Sequence, residues 1–288
     1  MKYFVLFALM FAANLFAVDT AKDNRSHQVI VSIAPYKFFV EQIAGDTVKT
    51  NVFVPIGASF HDYEPTPKQV FTAGNSDIWF RVGESFENRA VQALQGHQLH
   101  TQFVDLRQGV NLIIVEPGSE GHCCCHADCA DLHMWLSPKE VKIQAQTIAK
   151  ALIEKYPEHK ELYQKNLEKL LQSLDQLDKD ISTELAPLKQ RIIMVGHPAY
   201  AYFTRDYKLN QLSIEFEGKD PTPRQLTTIL EKARQAHIKT IYTQKQYGSK
   251  AVQLVANELK ANIVTLDPYS DDYFNMMRNI SKTIATQN

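Results

Sequence analysis

Residues 157–186 read PEHKELYQKNLEKLLQSLDQLDKDISTELA. After the opening proline the stretch has no proline, no glycine and no cluster of turn residues. Leu162, Leu167, Leu170, Leu171, Leu174, Leu177, Ile181 and Leu185 recur at helical spacing along one stripe. One helix over Pro157–Ala186 is expected, about 45 Å long at the α-helical rise. The run is short for a coiled coil and stands alone in the chain, so it reads as a rigid connector between the sequences on either side.

Those flanking sequences have a different texture, in which short β-branched runs alternate with amphipathic segments. On the amino side QVIVSIA, VKTNVFVP, DIWFRVG and HTQFVDL are strand-like. PYKFFVEQIAG and PKQVFTAG read as helices, with Pro35 suited to a first turn and Gly45 to a stop. A further helix opens at SPKEVKIQAQTIAKALIEKY, with Ser137 as N-cap, Pro138 at the first helical position and Glu140 at the third. On the carboxyl side RIIMVG, QLSIEF, IKTIYT and NIVTLD each lead into helical sequence. The expected fold is α/β: two parallel-sheet lobes, residues 18–156 and 187–288, joined by one long rigid helix over 157–186, with a cleft between them.

Charge is almost balanced, 31 Lys+Arg against 32 Asp+Glu, which argues against a nucleic-acid partner. The opening MKYFVLFALMFAANLFA has the layout of a cleavable secretory leader over residues 1–17: one lysine, a short apolar core and a small residue at its end. The apolar run is shorter than the ~20 residues a spanning helix needs, and no basic cluster follows it. No cysteine closes the run, so a lipid anchor is not expected. The mature chain is expected to begin near Val18 and to lie outside the cytoplasm, where disulfides are chemically permitted.

In open α/β sheets ligands bind beyond the carboxyl ends of the strands. Four polar residues stand at such positions: His61 in VFVPIGASFHDYEP, His133 in ADLHMWLSP, His197 in IIMVGHPAYAYF and Asp267 in NIVTLDPYSDDYF. Singly, each has an ordinary reading, a solvated loop histidine or an N-capping aspartate. Together they offer three imidazoles and a carboxylate, two groups from each lobe, a donor set that suits tetrahedral Zn²⁺.

At HDYEP, DLHMWLSP, GHPAYAYF and LDPYSDDYFNMMRNI the chain resembles the metal-binding solute-binding proteins of zinc and manganese ABC transporters. The order and spacing of the motifs match over nearly the whole mature chain. The resemblance implies that His61, His133, His197 and Asp267 are metal ligands, and that the chain captures Zn²⁺ between the lobes and delivers it to an ABC permease. It implies a binding protein, not an enzyme, which works in the periplasm as a monomer. Manganese binders of the family tend to carry a carboxylate at the third position, so His197 favours zinc, with Mn²⁺ or Fe²⁺ as alternatives. Leu132 stands where the family usually has proline.

All four cysteines fall within GHCCCHADC, residues 121–129, in a loop expected over 118–131. His122, Cys123, Cys124, Cys125, His126 and Cys129 can form an accessory metal-capturing segment, since Cys125 and Cys129 have usual ligand spacing. Two disulfides, in any of three pairings, or an inert loop are the competing readings. Glu215 and Glu217 are possible supporting groups near the cleft, and Trp135 reads as packing. His97, His100, His159 and His237 read as surface residues.

Two other functions compete. A secreted zinc hydrolase would use the three histidines with water in the fourth position, but the chain has neither H-E-x-x-H nor G-x-S-x-G. An adhesin would need an exposed interaction patch that the sequence does not mark.

Overall fold

The computed structural model describes residues 27–61, 63–95, 100–115, 130–216, 219–245 and 249–288. The expected leader, His97, Glu217 and the segment holding His122, Cys123, Cys124, Cys125, His126 and Cys129 lie outside these residues.

The first lobe runs β1 (Gln28–Val31), α1 (Ala34–Ala44), β2 (Lys49–Val52), α2 (Pro67–Gly74), β3 (Ile78–Arg81), α3 (Ser85–Ala93), β4 (Gln102–Asp105) and α4 (Pro138–Lys155). After α5 (Lys160–Leu185) the second lobe runs β5 (Ile192–Val195), α6 (Ala201–Asp206), β6 (Asn210–Ser213), α7 (Pro223–Gln235), β7 (Thr240–Thr243), α8 (Lys250–Leu259), β8 (Asn262–Thr265) and α9 (Tyr273–Gln287). Each described strand falls inside one of the eight strand-like runs, except β6, which starts one residue earlier, at Asn210. The sheets are wholly parallel, in the orders β2-β1-β3-β4 and β6-β5-β7-β8, so the second repeats the topology of the first. The α/β class and the two-lobe arrangement are therefore as expected.

The repeat extends to chemistry. α2 starts with EPTPKQ (64–69) and α7 with DPTPRQ (220–225). In each, the threonine hydroxyl accepts from the backbone N–H three residues on, and that glutamine's side chain returns to the threonine N–H. This reciprocal cap, with proline at the first helical position, satisfies donors that a helix start leaves open.

α5 is a 26-residue helix, about 39 Å long. It starts three residues later than expected, because Pro157–His159 form a 3-10 turn. The proline keeps Tyr156 out of the helical region (φ −130°, ψ 67°), so α4 cannot run into α5. The helix is more than a connector. Its buried stripe, Tyr163, Leu170, Leu174, Leu177, Ile181 and Leu185, packs on α1 and α4 in one lobe and on α9 in the other. Leu162 lies off this stripe and is exposed.

One apolar interior consequently runs through both lobes. It joins Val31, Phe80, Trp135 and the α5 stripe to Val195, Tyr242, Leu266 and Tyr273. β5 alternates in the manner of a strand covered on both faces: Ile193 and Val195 enter this interior, while Met194 enters a smaller core under α7 and α8.

Polar bonds add to the joint, and most come from residues 131–140. The Trp135 indole N–H donates to the Pro268 carbonyl (2.7 Å) and Tyr273 Oη donates to the Trp135 carbonyl (2.8 Å). Tyr202 Oη donates to the Asp131 carbonyl (2.7 Å) and accepts from Ile113 N–H (3.1 Å). Ser137 caps α4 as expected, accepting from Glu140 N–H. The Glu140 carboxylate turns away from the cap. It accepts from Asn111 N–H (3.1 Å) and pairs with Arg205 across the lobes (2.7 Å).

Candidate metal centre

The carboxyl ends of both sheets open on the seam between the lobes. His61 lies in the turn after β2, His133 just before the 3-10 turn Met134–Leu136, and His197 directly after β5. Their ring nitrogens gather so that one donor atom from each lies within 4.8 Å of the other two. His61 Nε2 and His197 Nε2 are 3.2 Å apart. The ring centroids are 5.1–5.4 Å from one another. His133 is fully buried and His197 nearly so.

A carboxylate stands behind each ring. Glu84 Oε1 lies 3.1 Å from His61 Nδ1, Asp131 Oδ1 2.9 Å from His133 Nδ1, and Glu215 Oε2 2.7 Å from His197 Nδ1. A carboxylate accepts hydrogen bonds, so the contacts of Asp131 and Glu215 favour the proton on His133 Nδ1 and His197 Nδ1 and leave the Nε2 of each ring as an acceptor facing the cluster. Asp131 is locked in turn, because the same oxygen accepts from the His133 backbone N–H (2.9 Å). Glu84 occupies the N-cap position of α3 without capping it, its carboxylate facing His61.

Three imidazoles gathered in a largely buried space favour a cation among them. His133 Nε2 is buried and has no hydrogen-bond partner among the described residues. An acceptor left this way costs about 1–3 kcal/mol. His197 shows the same pressure. Burial is the larger cause and the neighbouring imidazoles of His61 and His133 the next, and together they hold its pKa well below the usual histidine value. An N-donor-seeking divalent ion relieves both problems at once. Zn²⁺ takes nitrogen ligands at about 2.0–2.1 Å.

Aromatic rings wall the cluster. Phe60 packs on His61 and His133, and Trp135 and Tyr269 pack on Phe60. Trp135 is thus a packing residue, as read from the sequence.

Asp267 follows β8 at the same seam, but the donor cluster holds the three imidazoles alone. Its Oδ1 accepts from Tyr269 N–H (3.0 Å), a local turn that supports the chain after β8. Its charge is felt nearby: burial first, and the Asp267 carboxylate second, push the Tyr200 hydroxyl far above its ordinary pKa.

Glu215 has the supporting position expected of it near the cleft, whereas nothing in the sequence marks Glu84 or Asp131 for such a role. The lobe repeat carries a signal for Glu215. It precedes DPTPRQ in the loop after β6, as His61 precedes EPTPKQ in the loop after β2. His100 and His237 are exposed, as expected of surface residues.

A two-lobe parallel α/β protein with a buried trio of imidazoles at the seam, and no helix among the described residues long and apolar enough to cross a membrane, has the build of a metal-type solute-binding protein. Comparison with known proteins agrees. Residues 29–287 match the family model described as zinc-uptake complex component A, periplasmic (ZnuA), and the chain belongs to that family of extracytoplasmic solute-binding proteins. A putative metal-binding protein of Chlamydia trachomatis is 34% identical over 282 residues, covering 98% of this chain and 99% of the relative. The manganese ABC transporter substrate-binding lipoprotein PsaA of Streptococcus mitis is 28% identical, covering 89% of this chain and 88% of the relative. Among solved structures, a ZnuA deletion mutant with zinc bound superposes with a TM-score of 0.83 at 33% identity, covering 92% of this chain and 98% of that one.

Proposed function

We propose that the chain captures Zn²⁺ outside the cytoplasm through His61, His133 and His197 and hands it to an ABC permease. The observation that carries this reading is the gathering of three imidazoles with a donor atom of each within 4.8 Å of the other two, and a carboxylate near the Nδ1 of every ring. Histidine in all three positions favours zinc over the harder manganese ion, although family members named for manganese exist. Asp267 is the proposed fourth ligand, reached by a small movement of the turn it now caps; water is the alternative fourth donor.

The chain is read as a binding protein and not a hydrolase. The carboxylates of Glu84, Asp131 and Glu215 each face an imidazole nitrogen, which leaves no placed general base beside the cluster among the described residues. Export by a cleaved leader, without a lipid anchor, is the proposed route, although relatives such as PsaA are named lipoproteins. The segment with His122, Cys123, Cys124, Cys125, His126 and Cys129 is proposed as an accessory zinc-capturing loop. Thiol titration with and without zinc tests it, and complete oxidation of freshly exported protein would remove the idea.

The central experiment is elemental analysis of purified protein, followed by competition of Mn²⁺ against bound Zn²⁺. Zinc at one ion per cleft, resisting a hundredfold excess of manganese, is the expected result. Equal competition by manganese would overturn the choice of ion.

A further inference from the structure

A second group of metal-type donors lies at the other end of the first lobe. His27 precedes β1, and Glu158 and His159 belong to the 3-10 turn between α4 and α5. One donor atom from each lies within 4.8 Å of the other two. Glu158 Oε1 sits between the rings, 3.9 Å from His27 Nε2 and 4.0 Å from His159 Nε2. The amino end of β1 carries this group, and the carboxyl end of the same strand faces the cleft. About 16 Å of extended chain separates His27 from Ser32. The two groups share no residue.

We propose that His27, Glu158 and His159 form a second, solvent-facing site for a divalent transition-metal ion of the zinc type. Two imidazoles and one carboxylate, with water completing the shell, is a donor set such ions accept. Donor atoms at tetrahedral zinc stand about 3.3 Å apart, from bonds of about 2.0–2.1 Å. The present spacing therefore has to close by less than about 1.5 Å. The side chains are free enough to do so, since the imidazoles are 33% and 34% exposed and Glu158 is 57% exposed.

The backbone beneath them is held. His27 carbonyl accepts from Lys49 N–H (2.8 Å), and His159 N–H donates to the Tyr156 carbonyl (3.1 Å). Each ring also lies against a tyrosine, His27 on Tyr156 (4.1 Å between centroids) and His159 on Tyr163 (5.7 Å). A fixed base with movable tips describes a site that binds more weakly than the buried trio and exchanges with solvent. Because its donors come from both the start of β1 and the α4–α5 junction, an ion there pins the strand to the helical layer.

The test is equilibrium dialysis of the mature chain against graded zinc, compared with His27→Gln, Glu158→Gln and His159→Gln. The cleft and the cysteine segment are unchanged in all four proteins, so their contributions cancel. Each variant is expected to hold about one zinc fewer per chain at saturation, or to need at least tenfold more zinc for the last ion. Zinc-edge anomalous diffraction from the unaltered protein is expected to place a peak among the three side chains. Identical zinc isotherms for all four proteins, or no peak at this position in zinc-soaked crystals, would overturn the site. Neither outcome bears on the cleft.

Discussion

At the scale of single residues, the proposed site separates histidines that would touch an ion from carboxylates that would aim them. Replacing an outer partner of a ligating histidine typically weakens a metal about 10–100-fold, and losing the ligand itself weakens it more. His133→Ala and His197→Ala are therefore each expected to lower zinc affinity more than about a hundredfold, measured by chelator competition. Glu215→Gln keeps an oxygen that accepts from His197 Nδ1–H and is expected to cost about tenfold. Glu215→Leu removes that acceptor and is expected to cost nearer a hundredfold. Equal losses in the two variants would mean that Glu215 acts by charge alone. A pH effect follows from His197. Its pKa in the folded chain is depressed below the ordinary 6.5, so between the two values the unfolded chain binds more protons. The metal-free protein should therefore lose stability as pH falls from about 6.5 toward the lowered value, read as a falling thermal midpoint. His197→Asn should flatten that slope.

At the scale of elements, much was legible before any coordinates. All eight described strands were, because each overlaps a short apolar or β-branched run bounded by turn or helix residues. α5 was legible from its leucine stripe, apart from its first turn, where the proline's effect on Tyr156 decided the boundary. α3 was not, because SFENRAVQA is short and buries a glutamate. Glu87 accepts from Ser32, Val82 N–H and Gly83 N–H, a partnership that only the fold creates. Glu84 and Asp131 escaped for a related reason. A carboxylate in a loop has an ordinary surface reading, and only the distance to an imidazole distant in sequence or folded back beside it gives it a role. Glu215 was within reach through the repeated helix starts. Two predictions belong here. Deleting residues 121–129 should leave zinc binding at the proposed cleft site intact, because His61, His133 and His197 lie outside that segment. Leu174→Ala, in the wholly buried α5 stripe, should cost about 2–5 kcal/mol in denaturant unfolding.

At the scale of the whole molecule, the polar ties from Asp131, Trp135 and Glu140 into the second lobe and the length of α5 leave little room for a wide hinge. Zinc binding should change the small-angle scattering radius by less than a large clamshell closure would. Local change is expected instead in hydrogen exchange around residues 61, 133 and 267. A scattering change of several ångströms would show that the ties break.

The shared apolar interior has a consequence for how this chain can be taken apart. Severing it within α5 would expose on each piece the leucine and tyrosine surface that the other now covers, so neither half should persist alone as a smaller receptor. Calorimetry should accordingly register one melting event, with van't Hoff and calorimetric enthalpies in agreement. Losing either half would also dismantle the proposed cargo site, since His61 and His133 come from one lobe and His197 from the other.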